Sequence, residues 1–256
     1  MAINVNTVYK TVLSILNKEQ RGYMTPQEFN TIATQVQLEI FEQYFEDLNQ
    51  HLRVQNSDSD YADRIAIIEE KMSIFKTTGN CTYVTNSAGN YFSLPTNDLY
   101  GSAYTCHKLG SLAYKNKFGN TIGPLEELQR GEFYYIQNSR LTASTEANPT
   151  FIREGARVIV APSTITTGII ANYIRKPLDP VWGFTLGSRG QYVYSPFEYN
   201  PTVVPATGSR NFELHESEQT NVIIKILVYA GLIIKDPQIV QVAMQQSQIE
   251  EANSKS

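Results

Sequence analysis

Residues 133–141 read FYYIQNSRL, residues 148–162 read NPTFIREGARVIVAP, and residues 166–180 read TTGIIANYIRKPLDP. Gly, Pro, Asn and Thr separate the three pieces, and within them the side chains alternate in character. Arg157, Ile159 and Ala161 alternate with Val158 and Val160, while Ile169, Ala171, Tyr173 and Arg175 alternate with Ile170, Asn172 and Ile174. A strand turns successive side chains to opposite faces, so this period predicts strands, and the short separations predict an antiparallel meander.

On either side of this β-rich middle the period changes. Val5, Val8, Tyr9, Val12, Leu13 and Leu16 form a helical stripe. Thr25-Pro26-Gln27-Glu28 is a strong helix start, with Thr25 as cap, Pro26 at the first helical position and Glu28 able to close a capping box. Phe29, Ile32, Ala33, Val36, Ile40, Tyr44, Phe45 and Leu48 carry that helix to about residue 52. Ser57 and Asp58 open a third helix with Ile65, Ile68, Met72 and Phe75 on one side and Gly79 as its stop. Residues 91–94, 103–109 and 111–118 are further strand candidates, and residues 124–131 a short helix. Residues 222–235, VIIKILVYAGLIIK, are apolar nearly all round and predict a buried helix; Asp236-Pro237 restarts a more polar one toward residue 256.

The expected fold is therefore α+β: a bundle of long N-terminal helices plus a C-terminal helix, with an inserted antiparallel β-module, a small sandwich or barrel. Residues 1–79 and 213–256 make the α-helical domain. Residues 80–212 make the β-domain, with a Pro- and Gly-rich arm or loop at 183–211, a length that in a compact domain points to a functional role.

The chain has 256 residues and a net charge of −4, unevenly spread. Residues 26–75 carry ten acids against three bases, net −7, and residues 80–212 carry eleven bases against eight acids, net +3. This balance argues against a general nucleic-acid-coating protein. Sixteen Tyr and eleven Phe against a single Trp suit half-wetted surfaces, because a tyrosine ring buries area while its hydroxyl stays bonded. The N-terminus lacks the basic start and apolar run of a signal peptide. The most apolar segment, 222–234, spans 13 residues and includes Lys225; it is too short to cross a bilayer, so a soluble protein without a membrane anchor is expected.

Chemistry-bearing patterns are scarce. Cys81 and Cys106 form no disulfide framework or metal spacing, and His51, His107 and His215 lie far apart. Cys106 and His107 are adjacent on a predicted strand, so their side chains point to opposite faces and cannot act as a dyad. No phosphate-binding, dinucleotide-binding, nucleophile-elbow or zinc-protease motif occurs. Glu69-Glu70 and Glu126-Glu127 fall on predicted helices and read as solvated charge. No enzyme activity, cofactor or metal is expected.

Several pieces, in order, resemble the head-to-tail connector proteins of tailed bacteriophages, the group that includes podovirus tail tubular protein A and the ring proteins of crAss-like phages. They are Leu94-Pro95-Thr96-Asn97-Asp98 after the helices, Tyr134-Tyr135-Ile136 with Asn148-Pro149-Thr150-Phe151, the strand from Arg157 to Pro162, the strand from Ile170 ending Tyr173-Ile174-Arg175-Lys176-Pro177, and the closing helix with Asp236 after it. The likeness covers most of the chain except 183–211. It implies a structural virion protein of the phage neck or tail, assembled in the host cytoplasm as a homo-oligomeric ring of twelve copies. That ring would bind the portal and other neck or tail rings and extend the DNA channel, DNA passing without sequence-specific contacts.

Within that frame the arm aromatics Trp182, Phe184, Tyr192, Tyr194, Phe197 and Tyr199 are expected interface anchors. Ile239 and Met244 belong to a tail, 239–255, expected to order on a partner such as the portal. Glu39, Glu42, Glu46 and Asp47 are expected to line the channel. The rival reading is a tail-associated receptor- or carbohydrate-binding module whose exposed aromatics stack on sugars.

Overall fold

The computed structural model describes residues 2–18, 23–51, 64–87, 89–96, 104–115, 121–200 and 208–234, with Gln245 and Gln248. The chain divides into two compact units: Met1–Ile74 with Pro177–Ser256, and Phe75–Lys176. The described residues hold five helices and eleven strands in three sheets. This corrects the expected bundle of long N-terminal helices. Helices α1 (Val5–Lys18), α3 (Arg64–Ser73), α4 (Arg130–Asn138) and α5 (Gln219–Ile234) have 9 to 16 residues, and only α2 (Pro26–His51) reaches 26. Strand-rich segments interrupt the helices more often than a bundle allows. The division also runs differently from the sequence boundaries at 80 and 212, because residues 177–212 go with the helical unit.

In the helical unit, α5 packs against α1 and α2, and α3 against α2. Its interior takes Val8, Val12, Leu16, Phe29, Val36, Ile40, Val222 and Ile226, all buried. The stripe period explains this choice: positions three and four apart share a helix face. The start predicted at Thr25 has a working cap, α1 has one that the sequence reading did not name, and the start predicted at Ser57 and Asp58 lies outside the described residues. The Asn4 Oδ1 accepts from the Asn6 and Thr7 amides at 2.9 and 3.1 Å. At α2, the Thr25 amide donates to Glu28 Oε2 at 2.8 Å while the Glu28 amide donates to Thr25 Oγ1 at 3.3 Å, a closed capping box. Those bonds from Thr25 favour the ionised carboxylate and hold Glu28 below the usual range.

Among the described residues, ion pairs tie the elements of this unit together. Lys71 Nζ meets Glu218 Oε1 at 2.6 Å, and Lys225 Nζ meets Glu39 Oε1 at 2.6 Å. Near the first, the Tyr44 hydroxyl is buried without a hydrogen-bond partner, and burial pushes its pKa up. An unsatisfied buried hydroxyl costs stability that removing it returns. Tyr44→Phe is therefore expected to be neutral or to stabilise by up to about 1 kcal/mol, read as a higher urea midpoint. A loss of more than about 1 kcal/mol would mean that the hydroxyl has a partner in solution.

The second unit contains two sheets. One has the order β1-β9-β4-β5, from Lys76–Asn80, Ile169–Arg175, Cys106–Lys115 and Thr121–Pro124; the other has the order β2-β3-β8-β7-β6, from Thr82–Val84, Tyr91–Ser93, Arg157–Ala161, Thr150–Glu154 and Glu126–Glu127. Leu112, Tyr114, Ile169, Ala171 and Tyr173 from the first share one core with Phe92, Phe151 and Val158 from the second. On the other side of the second sheet, Ile152 and Ala161 pack with Phe133 of α4.

Four local expectations are corrected here. Residues 133–138, which looked like the first strand of the meander, lie in α4: Phe133 is buried and Ile136 and Gln137 half-buried, and inward positions three and four apart are a helix pattern. Residues 124–131 are not a helix; β5 ends at Pro124, Glu126–Glu127 is a strand, and α4 starts at Arg130. The meander is cut after β8, since β7 and β8 pair through Glu154↔Arg157 while β9 joins the other sheet between β1 and β4. Gly79 lies inside β1 rather than ending a helix, and a side chain there would press on Pro95 and the Tyr173 ring at about 3.0–3.2 Å. The alternation along β9 is as read: Ile169, Ala171, Tyr173 and Arg175 all face inward. Arg175 is buried with its guanidinium 4.5 Å from the Tyr104 ring centre and 5.6 Å from that of Phe75.

Candidate interaction surface

The aromatic cluster of the helical unit centres on Trp182. Its ring lies 4.3 Å from that of Tyr9, which meets Phe29 edge-on at 4.9 Å. Every polar atom of its approach is used. The indole Nε1 donates to Asn6 Oδ1 at 3.2 Å, the amide donates to Asn30 Oδ1 at 2.8 Å, and Asn30 Nδ2 donates to the Trp182 carbonyl at 3.3 Å. Two turns further along α2, the buried Gln37 holds both ends of the same excursion: its Nε2 donates to the Leu178 carbonyl at 2.8 Å and its Oε1 accepts from the Glu213 amide at 3.0 Å. The Leu178 amide donates to Glu213 Oε2 at 2.8 Å. Asn30 and Gln37 are spaced seven apart, so they share one face of the helix.

From this root rises a hairpin, β10 (Phe184–Leu186) and β11 (Tyr192–Tyr194), in antiparallel register with Phe184 opposite Tyr194 and Leu186 opposite Tyr192. Opposite residues share a face, so these four form one strip. Phe184 and Tyr194 sit 6.1 and 5.6 Å from Trp182, and Tyr192 meets Phe184 at 4.9 Å. The return leg is fastened by Ser209, whose hydroxyl accepts from the Gly183 amide at 2.9 Å and donates to the Ser195 carbonyl at 2.6 Å. Arg210 covers the Tyr199 ring at 4.4 Å. A two-stranded hairpin is marginal alone; here the Trp182 root supplies what it lacks.

The six arm aromatics are thus split. Trp182 is buried in its own unit, and Phe184, Tyr194 and Tyr199 are half-buried. Tyr192 is partly open, and Phe197 is 74% exposed; Leu186, not singled out in the sequence, is 68% exposed. The strip therefore runs from the core outward to an uncovered apolar end. Asn30 and Gln37 were also missed, although polar residues seven apart beside a buried stripe are a legible sign of a satisfied internal anchor.

Ile239 and Met244 lie outside the described residues. Glu39 is committed to its own chain, with Oε1 on Lys225 and Oε2 accepting from the Tyr229 hydroxyl at 3.1 Å. Glu42 and Glu46 are exposed, and Asp47 is half-buried. Among the described residues, no three His, Cys, Asp or Glu side chains come together as a metal site, and no helix is long and apolar enough to cross a membrane.

Burial pushes the Cys81 thiol up to about 12 and raises that of Cys106 as well, against the nearby Arg153. Raised pKa means less thiolate, the nucleophilic form. At pH 8 the folded chain should carry roughly a thousandfold less Cys81 thiolate than an unperturbed cysteine. Iodoacetamide labelling of Cys81, followed by mass spectrometry, should be slow until urea unfolds the chain; fast labelling of the native protein would contradict the burial. His215 caps the short turn Glu216–Glu218, its Nδ1 accepting from the Ser217 amide at 3.3 Å.

Comparison with known proteins returns no matching family model and no similar curated protein. The geometry of the chain carries the functional reading.

Proposed function

We propose that this chain is a ring-forming structural protein of a tailed-phage neck or tail, and that the hairpin arm is one of its subunit contacts. The carrying observation is the apolar strip that starts on buried Trp182 and ends on exposed Leu186, with Phe197 exposed on the same arm. Large apolar side chains held open on a firmly rooted element cost solubility unless a partner covers them. The ordered pieces that resemble head-to-tail connectors add support. In this reading the copies close into a ring of twelve, stack between portal and tail, and leave a channel through which DNA passes without sequence-specific contacts. The protein acts without catalysis, within the virion, and residues 239–255 contact the portal.

A contact on the arm is heterologous, the arm of one copy meeting a different surface of the next, and such contacts close into a ring when the rotation per copy permits. Leu186→Asp with Phe197→Asp changes only exposed positions and leaves the Trp182 root intact. The pair is expected to weaken assembly at least about tenfold, the size of a lost interface anchor, with an unchanged circular dichroism spectrum. Assembly equal to the parent chain would remove the arm from the interface.

A further inference from the structure

A second surface emerges from the charge of each unit taken separately. The helical unit carries eleven Lys and Arg against nineteen Asp and Glu, net −8, while the second unit carries ten against six, net +4. The second unit also bears the most open apolar side chains of the described residues. Tyr135 on α4 is 82% exposed and Leu141, just beyond it, 97%; Tyr134 is open too. Arg140 stands exposed beside Leu141, and Arg130, which opens α4, lies 3.3 Å from Glu154 Oε1; Glu132 is the one acid on the helix itself.

Exposed Tyr and Leu side chains with Arg140 beside them have the composition of an interface core with a charged rim. We infer that this patch on α4 and its following turn is the surface by which one copy seats on the acidic helical unit of the next copy. The occupant is a second copy because the chain supplies the complement itself: a +4 unit and a −8 unit on the same polypeptide attract head to tail and repel head to head. The inference rests on the ring reading and names a contact for it distinct from the arm.

Two consequences separate this contact from the arm. Attraction between the oppositely charged units is screened by salt, since the Debye length falls from about 30 Å at 0.01 M to about 3 Å at 1 M. Assembly driven by this contact therefore weakens as sodium chloride rises. The patch residues are exposed, so replacing them leaves the fold in place.

The experiment is sedimentation velocity of the full chain over a sodium chloride series, for the parent, Tyr135→Asp with Leu141→Asp, Arg140→Glu, and Leu186→Asp with Phe197→Asp, each checked by circular dichroism. The expected result is salt-weakened assembly of the parent and a dissociation constant raised at least about tenfold by the first variant. Arg140→Glu, the milder change, should raise it less and flatten the salt dependence. Parent-like assembly of both α4 variants, with the arm variant impaired, would overturn this surface and leave the ring reading standing. A parent chain that stays monomeric at every salt concentration would overturn this surface, and one that also forms no ring on a portal protein would overturn the ring reading with it.

Discussion

Trp182→Ala is expected to destabilise the helical unit by about 3–5 kcal/mol, the range for removing a large buried aromatic side chain. The indole fills the space between Tyr9 and the hairpin, and its loss leaves a cavity bordered by rings at 4.3 to 6.1 Å. It also strands Asn6 Oδ1, which accepts from the indole. Total stability of a folded domain is only about 5–15 kcal/mol, so the variant should unfold at a much lower urea concentration by circular dichroism. Trp182 is the only tryptophan, so native emission should be that of a buried indole, moving to the red as the arm root opens. A cost below about 1 kcal/mol would show that the ring is not packed as described.

Gly208→Ala should open the arm while leaving the helices in place. Gly208 has φ +91, a backbone conformation that side chains disfavour. A Cβ there would collide with the Glu198 carbonyl, and a Cβ on Gly183 would collide with the Gly208 carbonyl itself. Those obstacles are backbone atoms, which cannot rotate aside as a side chain does. The expected cost is about 3 kcal/mol, the upper end for single substitutions, concentrated on the leg joined by Ser209 to Phe197 and Ser195. Hydrogen exchange should rise across residues 183–200 and stay unchanged in α2 and α5. Uniform exchange across the unit would mean that the arm and helices unfold together.

Much of the local structure was legible because local rules decide it. The Thr25–Glu28 box starts α2 where the sequence places it, and the alternation from Ile169 to Arg175 gives the inward face of β9. What the sequence withheld depends on distant partners. Alternation names a strand's face but not its neighbours, so β9 was read beside β8 when it lies between β1 and β4. Aromatic density made residues 133–138 look extended, although buried Phe133 with half-buried Ile136 and Gln137 makes them a surface helix. The expected long-helix bundle failed because strands interrupt helices of which only α2 is long; the boundary at 212 moved because the segment after Pro177 joins the helical unit through Asn30 and Gln37, bonds spanning more than 140 positions.

The candidate surface was legible in part. The arm was visible as an aromatic, Pro- and Gly-rich excursion, yet composition could not tell which of its rings face inward. Trp182 roots the arm and Phe197 is open, a distinction set by the pairing of Phe184 with Tyr194 and the reach of α1. Glu39, expected on the channel, is held by Lys225 186 positions away, a partner that no local pattern names.

The most direct measurement of the central claim is native mass spectrometry with negative-stain microscopy on the purified chain, alone and mixed with a candidate portal protein. The account predicts closed rings of one copy number, formed alone or on the portal. A chain that remains monomeric in both conditions would contradict it.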